Sequence, residues 1–139
     1  MHVTRLLPLL LLVLPAGCAY PIYKQLKPAA DVSVQDANGV PIAGANVHLW
    51  TVVYPHHRRG PAEMKETDTS GNARFPSESE WRVEALVIHG YDVFAWRWCV
   101  AKPGYETRHL SYDDWLNTKS PIVLREGISQ PCKEPEAFG

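Results

Sequence analysis

The sequence predicts an all-β domain, an antiparallel sandwich of about seven short strands. Three observations predict it. The 9 glycines and 12 prolines are spread along the chain and cut it into short segments. Those segments are rich in Val, Thr, Tyr and Trp, the residues that fit a pleated surface. Turn signals recur every 8 to 12 residues or so.

Each element follows from its local pattern. "DVSVQD" alternates, with Val32 and Val34 on one face. "DANGVP" follows, and Asn38-Gly39 is the strongest short hairpin signal. "NVHLWTVV" places Val47, Leu49, Thr51 and Val53 on one side, and His48 and Trp50 on the other. "YPHHRRGPAE", from Tyr54 to Glu63, reads as a long loop broken by Pro55, Gly60 and Pro61. "MKETDT" runs extended into the turn "TSGN", and "ARF" continues from it. In these turns Asp36 and Asp68 can accept hydrogen bonds from backbone N–H groups two residues on, and Gly39 and Gly71 fall where positive φ is needed. "RVEALVIHG" and "VFAWRWCVAKPGYETRHL" supply the best strand patterns, and "PIVLRE" a last short one. Only "SYDDWLNT" predicts a helical turn, with Ser111 or Asp113 as its cap.

Ahead of this domain stands MHVTRLLPLLLLVLPAGCAY. Arg5 gives a short positive region, and Leu6 to Leu14 an apolar run interrupted by Pro8. That run is shorter than the roughly 20 residues of a spanning helix, so residues 1–17 read as an export signal. Ala16-Gly17-Cys18 resembles the lipobox of bacterial lipoproteins. Pro15 stands where that family favours Leu, with Leu14 one step further out. The resemblance implies cleavage before Cys18 and acylation of its thiol, a membrane anchor by lipid. Ala19, in place of an aspartate, implies the outer membrane and a domain facing the periplasm. Residues 18–29, with Pro21 and Pro28, read as a tether, 30–125 as the β domain, and 126–139 as a C-terminal tail.

Cysteine usage agrees with export. The chain has 3 cysteines: Cys18, Cys99 and Cys132. If Cys18 carries lipid, the other two make one disulfide, which an oxidising compartment permits. In "VFAWRWCVA" the bulky face (Phe94, Trp96, Trp98, Val100) belongs to the core. Cys99 shares the opposite face with Arg97, where Cys132 on the Pro-rich tail can reach it. Closing such a loop is worth about 3–4 kcal/mol in the chain-entropy account.

The order "VSVQDANGVPIAGANVHLW", "TDTSGNARF", "KPGYET" resembles prealbumin-like sandwiches, and in particular the transthyretin-like regulatory domain that follows some carboxypeptidases. The match rests on Pro41 to Val47, Thr67 to Phe75 and Gly104-Tyr105. It implies a prealbumin-like (Ig-like) seven-stranded fold and a module that assists folding or assembly. Hydroxyisourate hydrolases share that fold but carry a terminal "YRGS". This sequence reads "EPEAFG" there, so that activity is not expected.

A net charge of −1 and a pI of 6.6 leave no basic stripe for nucleic acid. His56 and His57 lack partners at metal-ligand spacing, although His48, His89 and His109 stand elsewhere in the chain. Asp36, Asp68, Asp113 and Asp114 form no calcium-loop pattern, and no G-x-S-x-G elbow is present. No catalytic residue, metal or cofactor is therefore expected. The expected contact surface is Tyr54, His56, His57, Arg58 and Arg59, whose cations suit carboxylates or phosphates. The expected role is binding or scaffolding for an envelope protein partner. Two alternatives stand beside it. One is a carbohydrate- or peptidoglycan-binding module using exposed aromatics, with Trp50 and Trp115 the candidates. The other is a small metal protein or hydrolase using the histidines.

Overall fold

The structure is a computed structural model that describes residues 19–55, 58–85, 91–111 and 121–134. These residues form nine strands: β1 (Ala19–Lys27), β2 (Ala30–Gln35), β3 (Asn46–Tyr54), β4 (Arg58–Glu66), β5 (Asn72–Phe75), β6 (Glu78–Ala85), β7 (Val93–Ala101), β8 (Arg108–Ser111) and β9 (Ile122–Val123). They assemble into three sheets, ordered β4-β3-β7-β8, β5-β2-β9 and β1-β6. The all-β expectation holds in this coarse form. The seven-stranded, wholly antiparallel, prealbumin-like sandwich does not. There are two more strands and one more sheet, and β9 runs parallel to β2, with Val34 opposite Ile122.

The physical reason lies in strand length. β3 and β7 are nine residues long and pair along their whole extent, about 30 Å of sheet. The strands facing them, β2 and β5, have six and four residues. They cover only the lower half of the larger sheet. There Val32, Val34, Ala73, Phe75 and Ile122 pack on Val47, Leu49, Trp98 and Val100. Phe75 meets the 1% exposed Trp98 edge-to-face at 5.1 Å, a favoured aromatic geometry.

The upper half is covered by the third sheet. Residues 19–27, expected as a tether, form β1 and pair with β6. This ribbon continues the β2–β5 pairing. Lys27 lies opposite Glu78 and Ala30 opposite Phe75, with Pro28-Ala29 and Pro76-Ser77 between them. The two ladders are therefore one antiparallel ribbon, bent where each strand carries a proline that cannot donate to the ladder. Past the bend, buried Leu26 reaches over the larger sheet. Its carbonyl accepts a hydrogen bond from Trp96 Nε1 at 2.9 Å and a long one from Thr51 Oγ1 at 3.4 Å. Thr51 and Trp96 face each other across β3 and β7. The bend is held by buried Lys27, whose ammonium pairs with Glu63 on β4 and lies 4.0 Å from Glu78. Burial alone would raise the Glu63 carboxyl pKa, but the hydrogen bonds and charge of Lys27 and Lys65 outweigh it and hold it below the usual value.

The expected long loop from Tyr54 to Glu63 is mostly strand, because β3 runs to Tyr54 and β4 starts at Arg58. Gly60 and Pro61 fit at a register shift on β4, which forms the sheet edge and needs no donor on its outer side. The cap positions and most of the helical turn expected in "SYDDWLNT" lie outside the described residues, save Ser111, the last residue of β8.

The two aspartate turns share one geometry. Asp36 Oδ1 accepts from the N–H of Asn38 and Val40, each at 2.8 Å. Asp68 Oδ1 accepts from Ser70 at 2.8 Å and Asn72 at 2.9 Å. Gly39 and Gly71 have φ of 82° and 75°. They differ in surroundings. A Cβ on Gly39 would meet nothing within 4 Å, whereas one on Gly71 would lie 2.5 Å from the Val34 carbonyl oxygen. Gly39→Ala should thus cost only the left-handed backbone penalty, about 1–2 kcal/mol. Gly71→Ala should cost clearly more, because β2 must move. Urea denaturation of the two variants, read at equal m-value, measures the difference; equal losses would refute the close approach.

Candidate functional site

The strands carry the sequence-predicted residues to two places. One is the outer face of the larger sheet, where Cys99 on β7 is bonded to Cys132. Cys99 is on the outer face, as its alternation requires, yet it is fully buried. The tail covers it. Gln130 donates its N–H to Thr107 Oγ1 at 2.9 Å, Cys132 bonds Cys99, and Glu134 pairs with Arg59 at 3.2 Å. These three fixings carry the segment from beside β8 across β7 to the edge strand β4. Trp50, on that same outer face, is only 8% exposed and stacks on His48 at 5.2 Å. It is therefore no sugar platform in this arrangement. Trp115, the other candidate for that role, lies outside the described residues.

The register also aligns His48, Cys99 and His109 across β3, β7 and β8. His109 Nε2 is 3.9 Å from Cys99 Sγ. The sulfur is committed to Cys132, and the described residues hold no group of three or more metal-ligating side chains.

The second place is the β3–β4 corner. Tyr54 ends β3 and is joined to Pro55 by a cis peptide, and Arg58 and Arg59 begin β4. His56 and His57 lie outside the described residues. The arginines are engaged within the molecule. Arg58 binds Asp92 at 2.6 Å, and Arg82 of β6 approaches the same carboxylate at 3.5 Å. Burial would raise the Asp92 pKa, but Arg58, Arg82 and Lys24 overcome this and hold it below the carboxylate range. Beneath the ribbon a cavity of about 170 Å³ is lined by Leu26, Val53, Arg58, Arg82 and Phe94, among others. The exposed Arg59–Glu134 pair is worth about 0–1 kcal/mol. An external carboxylate or phosphate can therefore exchange with Glu134 at little cost to the fold, whereas Asp92 is 18% exposed and shared by two arginines.

A wider cleft of about 850 Å³ opens at the ribbon's bend, beside Asp31, Lys65, Arg74, Phe75 and Pro76. Its cations are likewise paired within the molecule: Arg74 Nε donates to Asp31 at 2.7 Å and Lys65 Nζ to the Arg74 carbonyl at 2.7 Å.

Sequence reasoning missed the aromatics that do face solvent. Tyr23 is 60% and Trp81 71% exposed, directly opposite each other on β1 and β6 with ring centroids 5.3 Å apart. Period-two alternation in "AYPIYKQ" and in "SEWRVE" was the available signal. Pro21 and Pro28 obscured the first segment by making it read as a linker. Comparison with protein-family models, with curated protein sequences and with solved structures finds no match.

Two outcomes follow. Reduction, or the double variant C99A/C132A, should lower the melting midpoint by about 10 °C or more. The bridge closes a loop with a sequence separation of 33, worth about 3–4 kcal/mol. Calorimetry showing no shift would mean that the strap is not a stability element. Burial lowers the pKa of His48. The fold thus favours the neutral ring, and this contribution is complete above the unfolded value near 6.5 and is lost as pH falls through the lower folded one. The midpoint should decline as pH falls below about 6.5, and His48→Gln should flatten that decline.

Proposed function

We propose that this chain is a bacterial lipoprotein of the cell envelope, acylated at Cys18 and held at the outer membrane facing the periplasm. Its β domain binds or scaffolds an envelope protein partner rather than catalysing a reaction. The observation that carries this reading is the distribution of the 3 cysteines. Cys99 and Cys132 are joined to each other. Cys18 is left over, at the end of the apolar leader and one residue before β1. A structural disulfide suits an oxidising compartment. An odd cysteine at the end of an export signal suits lipid attachment. Several acyl chains on one residue give stable anchoring where one chain is marginal.

The contact surface of this reading is the β3–β4 corner: Tyr54, Arg58 and Arg59, with His56 and His57 between them in sequence. Charge and apolar area stand side by side there. The exposed Arg59–Glu134 pair is weak enough to be exchanged for a partner's carboxylate or phosphate.

Two experiments test it. Cys18→Ala should leave the precursor unprocessed or release the protein from the detergent-phase lipoproteins; unchanged fractionation of the variant would refute the anchor. Replacing residues 56–59 with Gly and Ser should shift the melting midpoint by only a few degrees, since surface pairs contribute little, and should abolish recovery of the partner by cross-linking. A folded variant that keeps every interaction of the wild type would refute the corner as the contact surface.

A further inference from the structure

The β1–β6 ribbon shows solvent an apolar outer face and draws charge inward beside Tyr20, Ile22 and Leu26. An antiparallel pair with one face on a protein body normally buries apolar residues and shows polar ones to solvent. Here the inward face carries charge. Lys24 pairs with Glu84, both side chains largely buried, and the Lys24 ammonium lies 5.3 Å from the Tyr91 ring centre and 5.7 Å from that of Phe94. Arg82, also inward, reaches Asp92 and lies 5.6 Å from the centre of the Phe94 ring. The outward face carries Ala19, Pro21 and Tyr23 on β1, with Trp81 and Val83 on β6. Val83 is 75% exposed.

The outward face is also graded along its length. At the bend end it shows Gln25 opposite Ser79, both polar. Beyond them come Tyr23 opposite Trp81, then Pro21 opposite Val83, then Ala19 opposite Ala85. Polarity thus falls steadily toward Ala19, and Cys18 is the next residue in the chain. At about 3.3 Å per residue, Pro21 and Tyr23 stand roughly 7 and 13 Å along β1 from Ala19. Tyr and Trp are the side chains that settle at a membrane–water interface, apolar body inward and polar tip wet.

We infer that the outward face of the β1–β6 ribbon lies on the lipid bilayer, with Tyr23 and Trp81 in the headgroup layer and Pro21 and Val83 beside the acylated cysteine. The inference rests on Cys18 being the lipid anchor. It adds that the anchor has no slack: the ribbon is itself the second membrane contact and fixes how the domain stands on the surface. The bilayer is the occupant because the apolar grade runs toward the one residue that would carry lipid, and because this face presents no charge.

The test uses the full chain, exported and purified in detergent, then returned to vesicles of phosphatidylethanolamine and phosphatidylglycerol with or without brominated acyl chains. Subtracting the emission of Trp81→Phe from that of the wild type isolates Trp81. The expected result is that bromolipid quenches more than half of this difference emission, and that adding Tyr23→Ser weakens the quenching at least twofold. Circular dichroism and an intact Cys99–Cys132 bond show that the variants are folded. The mass of the N-terminal peptide reports acylation separately. An acylated protein whose Trp81 emission is unquenched overturns this inference and leaves the anchor standing. An unmodified Cys18 overturns both. Trp81 shielded in lipid-free protein of doubled mass assigns the face to a second copy. Sedimentation with peptidoglycan that Trp81→Phe abolishes assigns it to a glycan. Either outcome overturns the bilayer assignment.

Discussion

The structure depends on one mismatch. β3 and β7 bury an apolar inner face nine residues long, and the sheet opposite is too short to cover it. Val47, Leu49, Trp98 and Val100 find partners on β2, β5 and β9. Thr51, Val53 and Phe94 lie outside that cluster. An apolar stretch of that size left in water would cost several kcal/mol at about 25 cal/mol per Å². The fold answers by carrying the β2–β5 ribbon past two prolines and laying its far end over the exposed half. Buried Leu26, its carbonyl bonded to Trp96, and the buried Lys27–Glu63 pair are consequences of that solution. So is the existence of a third sheet.

What was legible in the sequence follows the same division. Local rules read well. The aspartate turns at Asp36 and Asp68, their glycines, the alternation of Val32 and Val34, and the inward face of β7 all depend on residues a few positions apart. The paired cysteines were also readable, since alternation puts Cys99 on the face the tail can reach. The third sheet was not readable, because it depends on comparing the lengths of strands far apart in the chain. Pro28 looked like linker composition, and only the structure shows it opposite Ser77, diagonal to Pro76. The corner from Tyr54 to Glu63 was misjudged for a related reason. Gly60 and Pro61 break a central strand, yet β4 is an edge, and edge position is a property of the whole sheet. Trp50 lies on the outer face by alternation but is buried there, stacked on His48.

The two functional regions are joined by this architecture. Asp92 holds Arg58 of the corner and Arg82 of the ribbon, so the proposed contact surface and the ribbon form one electrostatic unit. Charges that a soluble ribbon would show to water are spent inside on that junction. The outward face is left to Tyr23, Trp81 and Val83.

The parallel pairing of β2 with β9 has a consequence for how the chain is made. Val34 lies opposite Ile122, and Leu124 donates its N–H to the Gln35 carbonyl at 2.9 Å. A polypeptide emerges N-terminus first, from a ribosome or through a translocation channel. Its first core strand therefore keeps one open edge until Ile122 and Val123 have appeared. Such non-local closure is slow and leaves a template for aberrant pairing in the meantime. The strap is the covalent counterpart: Cys132 cannot reach Cys99 until every strand between them has arrived. A prematurely terminated product would lack the closing strand and the bond together. The Cys99–Cys132 bond thus marks a chain in which both β8 and β9 have been made.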